Sequence, residues 1–272
     1  MGRQDYRVFA PAPGLRDVVR CLWTFQSEGP DTQPQRIAPD GCPELIIHLA
    51  SPYFEWVDKG LVEQPPILFA GQITRPLALE ARAGVSVLGV RFEPDGAHRF
   101  LGAPMRMATD RRIDLLACHG KEAARALESV RRAGSFEAQR RGVEFYVTEM
   151  LGASGVRLSP VVRAALIALR EMRPLREITS GYSERKIQRL FGDWVGVPPR
   201  TMAAIFRFRR VFDAIETPAK PRWVESALAA GYFDQPQMAR DFRRFLGCTA
   251  RDWAVQRIGL ARALVRPAPV PD

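Results

Sequence analysis

Apolar residues recur in two different rhythms along this chain. Up to about residue 110 they come in short runs: RCLWTFQS at 20–27, CPELIIHLAS at 42–51, ILFAGQIT at 67–74 and VSVLGVRFEP at 85–94. Pro and Gly punctuate them, as in EGPDTQPQ and EQPP. Short runs between turn signals predict the strands of a barrel or sandwich. Two Pro-Asp-Gly segments, Pro39-Asp40-Gly41 and Pro94-Asp95-Gly96, read as turns. Proline presets φ there and glycine supplies a positive φ.

Beyond residue 113 the spacing becomes helical. Leu115, Leu116, Ala123, Leu127 and Val130 share one stripe, then Val143, Tyr146, Val147 and Met150 another. GASGVRLSP at 152–160 reads as a linker, with Ser159 placed to cap a helix and Pro160 at its first position. Helical segments then follow closely: VVRAALIALREM, SERKIQRLFGDWVG, PRTMAAIFRFRRVFDAIE, RWVESALAAGY, DQPQMARDFRRFLG and TARDWAVQRIGLARALV. The expected fold class is α+β. A β-rich barrel-like or sandwich-like domain with trailing helices spans 1–152, a linker 153–160, and an all-helical domain 161–265.

Charge separates the same two regions. Residues 1–156 hold 19 Lys+Arg and 19 Asp+Glu; residues 157–272 hold 21 and 11, so the whole net charge of +10 lies in the second part. A field confined to one region is the footprint of a polyanion binder. An Arg-rich composition that merely reflected a GC-rich genome would spread the excess over both halves.

Within the basic region two segments look alike. SERKIQRLFGDWVGVPPRTM occupies 183–202 and DQPQMARDFRRFLGCTARDW occupies 234–253. Each opens on an N-cap residue, Ser183 or Asp234. Each then carries Arg-x-Phe, at Arg189 and Phe191 or Arg240 and Phe242, and a Gly five residues further on. Ile187, Leu190 and Phe191 form the apolar back of the first helix, and Met238, Phe242 and Phe245 that of the second. The fronts carry Arg185, Gln188 and Arg189, and Gln237, Arg240 and Arg244, with Lys186 a further candidate DNA contact. Arg and Gln bond base edges bidentately, Arg to guanine and Gln to adenine. Surface helices with solvated arginines would show similar fronts, but the repeated landmarks and the localised charge favour two recognition helices.

These residues resemble the DNA-binding region of AraC/XylS-type transcription regulators. The match is carried by S-E-R-K-I-Q-R-L-F-x(4)-G-V-P-P-R and by G-Y-F-D-Q-P-Q-M-A-R-D-F-R-R-F-L-G, with Gly231-Tyr232 as the Gly-aromatic turn. The resemblance implies two helix-turn-helix units joined by a long helix, about 200–216, each placing a helix in one of two adjacent major grooves. It implies base-reading roles for Arg185, Gln188 and Arg189, and for Gln235, Gln237 and Arg240. Ser183, Asp234, Arg243 and Arg244 are expected on phosphates. The sequence departs from the pattern at Arg176 and Glu177, where an apolar residue is usual, at Ser226, and at Ala250, where Pro is usual.

The first region is similar to the barrel-like sensor domains of such regulators through R-x-A-P-D-G-C-P-E-L-I-I-H-L at 36–49 and L-G-V-R-F at 88–92. That likeness implies a small-molecule or dimerisation role, with Glu44, Arg91 and Trp23 as candidate ligand contacts. The expected function is therefore a sequence-specific transcription regulator. Its expected partners are double-stranded DNA, a small-molecule effector, RNA polymerase and a second copy of the chain.

Catalytic chemistry is not expected. There is no G-x-S-x-G, P-loop or G-x-G-x-x-G, and Cys21, Cys42, Cys118 and Cys248 form no C-x-x-C pair. His48, His98 and His119 stand singly, so neither metal nor cofactor is expected. The alternative is a DNA-modifying or repair enzyme with the same reader, for which Cys42 beside Pro43 is the nearest nucleophile. The opening MGRQDYRVFAPAPG has no apolar signal core and no run is long enough to span a bilayer, so a cytoplasmic location is expected.

Overall fold

A computed structural model describes residues 4–213 and 223–255. Six strands form one antiparallel sheet in the order β1 (Gln4–Phe9), β2 (Val19–Ser27), β9 (Val85–Phe92), β4 (Glu44–His48), β7 (Ile67–Ala70) and β10 (Arg112–Asp114). Four more form a second sheet in the order β3 (Asp31–Ile37), β8 (Leu77–Ala81), β5 (Phe54–Val57) and β6 (Gly60–Glu63).

Alternation along the strands sorts side chains between two cores. Leu45, Ile47, Phe69, Leu88, Val90 and Phe92 face α1 (Ala97–Leu101), α2 (Leu115–His119), α3 (Lys121–Arg132) and α4 (Phe136–Ser154). Phe100 and Tyr146 from those helices are buried against them. Cys21, Trp23, Phe25, Val85 and Val87 face the other way, onto Leu79 and Ala81 of the second sheet. The β-rich part is therefore three layers: helices, six strands, four strands. Its four expected strand runs became β2, β4, β7 and β9.

The helical part holds α5 (Pro160–Arg170), α6 (Leu175–Ile178), α7 (Glu184–Trp194), α8 (Pro199–Asp213), α9 (Trp223–Ala229), α10 (Gln235–Leu246) and α11 (Ala250–Val255). Two cores run through it. Val162, Leu166, Leu169, Ile187, Phe191 and Val195 make the first, and Met202 and Phe206 of α8 join it. Phe208, Val211 and Phe212 of the same helix join the second, with Tyr232, Met238, Phe242 and Phe245. Helix α8 is thus shared by both units, and its 15 residues span about 22 Å at 1.5 Å per residue. The expected continuation of α8 to Glu216, the last helix beyond Val255 and the expected domain end at 265 lie outside the described residues.

The two parts are docked against each other. Asp95, 1% exposed, accepts a 2.7 Å bond from Arg163 of α5. Glu93 accepts one at 2.9 Å from Arg170. The Thr109 hydroxyl donates to the Gly196 carbonyl at 2.7 Å, Arg106 pairs with Asp193, and the His98 ring lies 4.5 Å from that of Trp194. Gly196 has a φ of +95°, and an added Cβ would stand 3.0 Å from the Met105 carbonyl oxygen, so glycine is needed both for the turn and for the approach. At the other end Arg36 donates to the carbonyls of Leu246 (3.2 Å) and Gly247 (2.8 Å), at the C-terminus of α10.

Candidate nucleic-acid interface

Both expected recognition helices are built and capped as their residues dictate. Ser183 accepts the Lys186 amide at 3.3 Å and starts α7; Asp234 accepts the Gln237 amide at 2.7 Å and starts α10. Each cap satisfies a donor that the first helical turn leaves open. Ile187 and Phe191, and Met238, Phe242 and Phe245, are buried. Opposite them Arg185, Lys186, Gln188 and Arg189 are exposed on α7, and Gln235, Arg240, Arg243 and Arg244 on α10.

These fronts are not equally free. Arg185, Arg189 and Arg240 make no hydrogen bond or ion pair with any described residue. The Gln188 amide donates to Glu184 at 3.1 Å. Gln237 is half-buried, and its side-chain carbonyl accepts the Phe233 amide at 3.1 Å. That occupies one of the two lone pairs on its acceptor oxygen, so bidentate adenine reading has to share that oxygen with the Phe233 amide. Lys186 lies 4.6 Å over the Tyr182 ring, and Arg244 4.8 Å over that of Phe245.

The supports behind the helices differ more. In the second unit, α9 buries Ser226 and Ala227, and Tyr232 is 3% exposed with its hydroxyl donating to Asp241 at 3.0 Å. In the first unit, α6 is a single turn and buries none of its residues. Arg176 and Glu177 stand in it, as the departure in sequence implied. A groove of about 560 Å³ opens beside it, lined by Leu175, Tyr182, Ile187, Pro198, Pro199 and Arg200 among others.

In the β-rich part the three candidate ligand contacts converge. Glu44 and Arg91 are direct partners across β4 and β9. The Arg91 Nε and Nη2 atoms both lie 2.7 Å from Glu44 Oε1, and the Trp23 indole donates to the same oxygen at 3.2 Å. Asp40 stands 3.4 Å from Arg91. Burial pushes Glu44 above the usual carboxylate range, against the pull of Arg91. Burial also opposes the charge on Arg91, but the Glu44 and Asp40 carboxylates outweigh it and hold its pKa above the ordinary value. Asp40 was not foreseen as a partner. Its turn continues to Gly41, where an added Cβ would lie 3.0 Å from the Phe206 ring and 3.1 Å from the Met202 sulfur of α8. The preceding Ala38 is buried in the second helical core.

His48 is fully buried, and neither ring nitrogen makes a hydrogen bond. Burial lowers its pKa to about 4, opposed by the Gln64 side chain. His98 bonds the Ala103 carbonyl and His119 the Tyr146 hydroxyl. No cluster of three metal-ligating side chains occurs among the described residues, nor any helix long and apolar enough to cross a membrane.

Two family models match the chain. One, described as a domain of unknown function (DUF6597), matches residues 7–114; the other, described as a helix-turn-helix domain, matches residues 179–256. No curated protein matches. Among solved structures, ToxT from Vibrio cholerae O395 is similar at 7% identity and a TM-score of 0.49, over 94% of this chain and 98% of that one. ToxT with an unsaturated fatty acid bound is similar at 8% identity and a TM-score of 0.45, over 93% and 96%. The AraC-like transcriptional activator CuxR is similar at 15% identity and a TM-score of 0.28, over 78% and 87%. The matched helix-turn-helix domain contains the two capped, basic-fronted helices α7 and α10. The chain therefore carries a helix-turn-helix domain behind a domain of unknown function.

Proposed function

We propose that α7 and α10 read adjacent major grooves on one face of duplex DNA, and that the β-rich part governs whether both read at once. The observation that carries this is α8, which belongs to the cores of both units and so ties two exposed Arg-bearing helices to one rigid rod. Arg185 and Arg189, and Gln235 and Arg240, are the base readers in this proposal. Lys186, Arg243 and Arg244, with the helix starts at Ser183 and Asp234, hold phosphates.

The regulatory half rests on the Pro39-Asp40-Gly41 turn. One side of it is the Asp40–Arg91 pair, and the other is its contact with Met202 and Phe206. A small molecule that takes Arg91, Glu44 or Trp23 as its partner draws Asp40 away and moves the turn against α8. An effector acts only through such a difference in affinity between two arrangements. Contacts with RNA polymerase and with a second copy belong to the same proposal, as does action in the cytoplasm.

The test is selection of bound duplexes from a random library by the full chain, repeated with a panel of candidate small molecules. One enriched motif spanning two half-sites about 10 base pairs apart is expected, with enrichment altered by one class of compound. Enrichment of a single half-site, unchanged by every compound and by Asp40→Asn, would sink both halves of the proposal. The enzyme reading is weaker because burial pushes the Cys42 thiol well above its ordinary pKa, which disfavours the nucleophilic thiolate.

A further inference from the structure

Phe233 is 91% exposed, more than any other large apolar residue described. Nothing about its position is loose. Tyr232 before it is 3% exposed, and its amide bonds the Ala227 carbonyl at 3.0 Å. Asp234 after it is the N-cap of α10, and the Phe233 amide itself donates to Gln237 at 3.1 Å. The backbone on both sides is therefore fixed, and the ring is held out into solvent by a braced turn.

That turn delivers the N-terminal end of the second recognition helix. In helix-turn-helix proteins this end contacts base edges in the major groove. The groove offers one apolar feature, the C5-methyl group of thymine, and a Phe ring is among the side chains that pack on it. The electrostatic setting suits DNA over an apolar protein surface: Arg240, Arg243 and Arg244 are exposed on the same helix, in the region that carries the whole net charge of +10.

We infer that Phe233 is a specificity-determining residue that packs on a thymine methyl at the edge of the second half-site. This rests on the DNA-reading role proposed above and adds a contact of a different kind to its Arg and Gln bonds. It makes a T·A pair preferred at one position that no hydrogen-bonding side chain reads.

The experiment uses the full chain and a duplex selected by it. Each thymine of the second half-site is replaced in turn by deoxyuridine, which removes only the methyl. Wild-type affinity is expected to fall about fourfold at one position, the equivalent of one buried methyl. Phe233→Ala should bind the thymine duplex about fourfold more weakly or worse, and lose its response to deoxyuridine at that position alone. Its melting temperature should match wild type, because the ring touches no core. Equal methyl sensitivity in wild type and Phe233→Ala overturns the inference while leaving DNA reading intact. So does unchanged affinity of the variant, which would assign the ring to a protein partner. Failure to select any duplex would instead overturn the DNA-reading role, and this inference with it.

Discussion

The two helix-turn-helix units differ in what holds them up. The second is supported from within. Phe242 stacks edge-on against Phe208 at 5.1 Å and Trp223 at 5.6 Å, and Phe212 against Trp253 at 4.9 Å. Tyr232 and Arg207 both bond the buried Asp241. The first unit lacks a supporting helix of that kind, since the single turn of α6 buries nothing. Beyond its own core with α5 and α8, it is braced by the β-rich part, through Asp95, Glu93, Thr109, Arg106 and His98. A recognition helix held by its own core reads DNA whatever its neighbour does. One held by a neighbouring fold reads DNA only while that fold keeps its shape. In the proposed function, the first unit is therefore where a change in the β-rich part is felt, and the second is the constant anchor.

The largest effect that tests this difference is an acid one. Folded His48 stays neutral down to about pH 4, whereas an unfolded histidine takes up a proton near 6.5. Between those values the unfolded chain binds more protons, so stability falls as the pH drops through the window, by about 3 kcal/mol over the whole of it. Hydrogen-exchange protection should be lost from the β-rich sheets and α7 first, and from α10 later, between pH 6.5 and 4.5. His48→Leu should flatten the slope. Simultaneous loss in α7 and α10 would show that the units are supported alike.

Next in size is Asp95→Ala. The Arg163 side chain is about one-third exposed and so is only partly stranded, which brings the expected loss to about 2 kcal/mol, below that of a fully buried pair. Urea denaturation measures it. Exchange should quicken in α5 and α7 and stay unchanged in α10. If α10 responds equally, the brace serves both units.

How much of this difference was legible beforehand is instructive. Caps at Ser183 and Asp234, the apolar backs and the basic fronts are local, and local pattern reports them. The weakness of α6 was also visible, as Arg176 and Glu177 at apolar positions. The strands divided by their environment. β2, β4, β7 and β9 are buried and read as apolar runs. β3 carries Pro34 and mostly polar residues, which an edge strand tolerates, and it stands at the edge of its sheet. Contacts between the two parts left no trace in sequence, because Asp95–Arg163 and Arg36–Gly247 join residues 68 and 211 apart. Glu44 and Arg91 stand 47 positions apart in the sequence, and the pairing of β4 with β9 is what brings them into contact. Phe233 was hidden in G-Y-F, where Tyr232 fills the buried aromatic position and leaves the second ring nowhere to go inside.

A third prediction weighs the two reading faces. Arg240→Ala should reduce specific binding by about 2 kcal/mol, and Arg189→Ala by about half as much. Neither side chain has a hydrogen-bond or ion-pair partner among the described residues, so the difference reflects only how firmly each helix is held. Competition binding on a selected duplex measures it, with the lost position identified by base substitution. Equal losses would mean that DNA itself orders the first unit on contact, and that the thin α6 has no functional consequence.

The smallest effect is the sharpest test of the anchor. Arg36 is the one described side chain of the β-rich part that hydrogen-bonds the second unit, through the carbonyls of Leu246 and Gly247. It lies where the negative end of the α10 dipole favours a cation, and where Gly247 turns the chain at a φ of +67°. Arg36→Ala should therefore cost about 1 kcal/mol, the usual worth of a charged C-terminal contact. It should leave the exchange protection of α10 near wild type, because the aromatic cluster beneath it stays whole. It should also leave Arg240-dependent binding intact. A collapse of protection in α10 would mean that the second unit too borrows its rigidity from the β-rich part. The asymmetry would then be one of degree, with both recognition helices open to control from the same side.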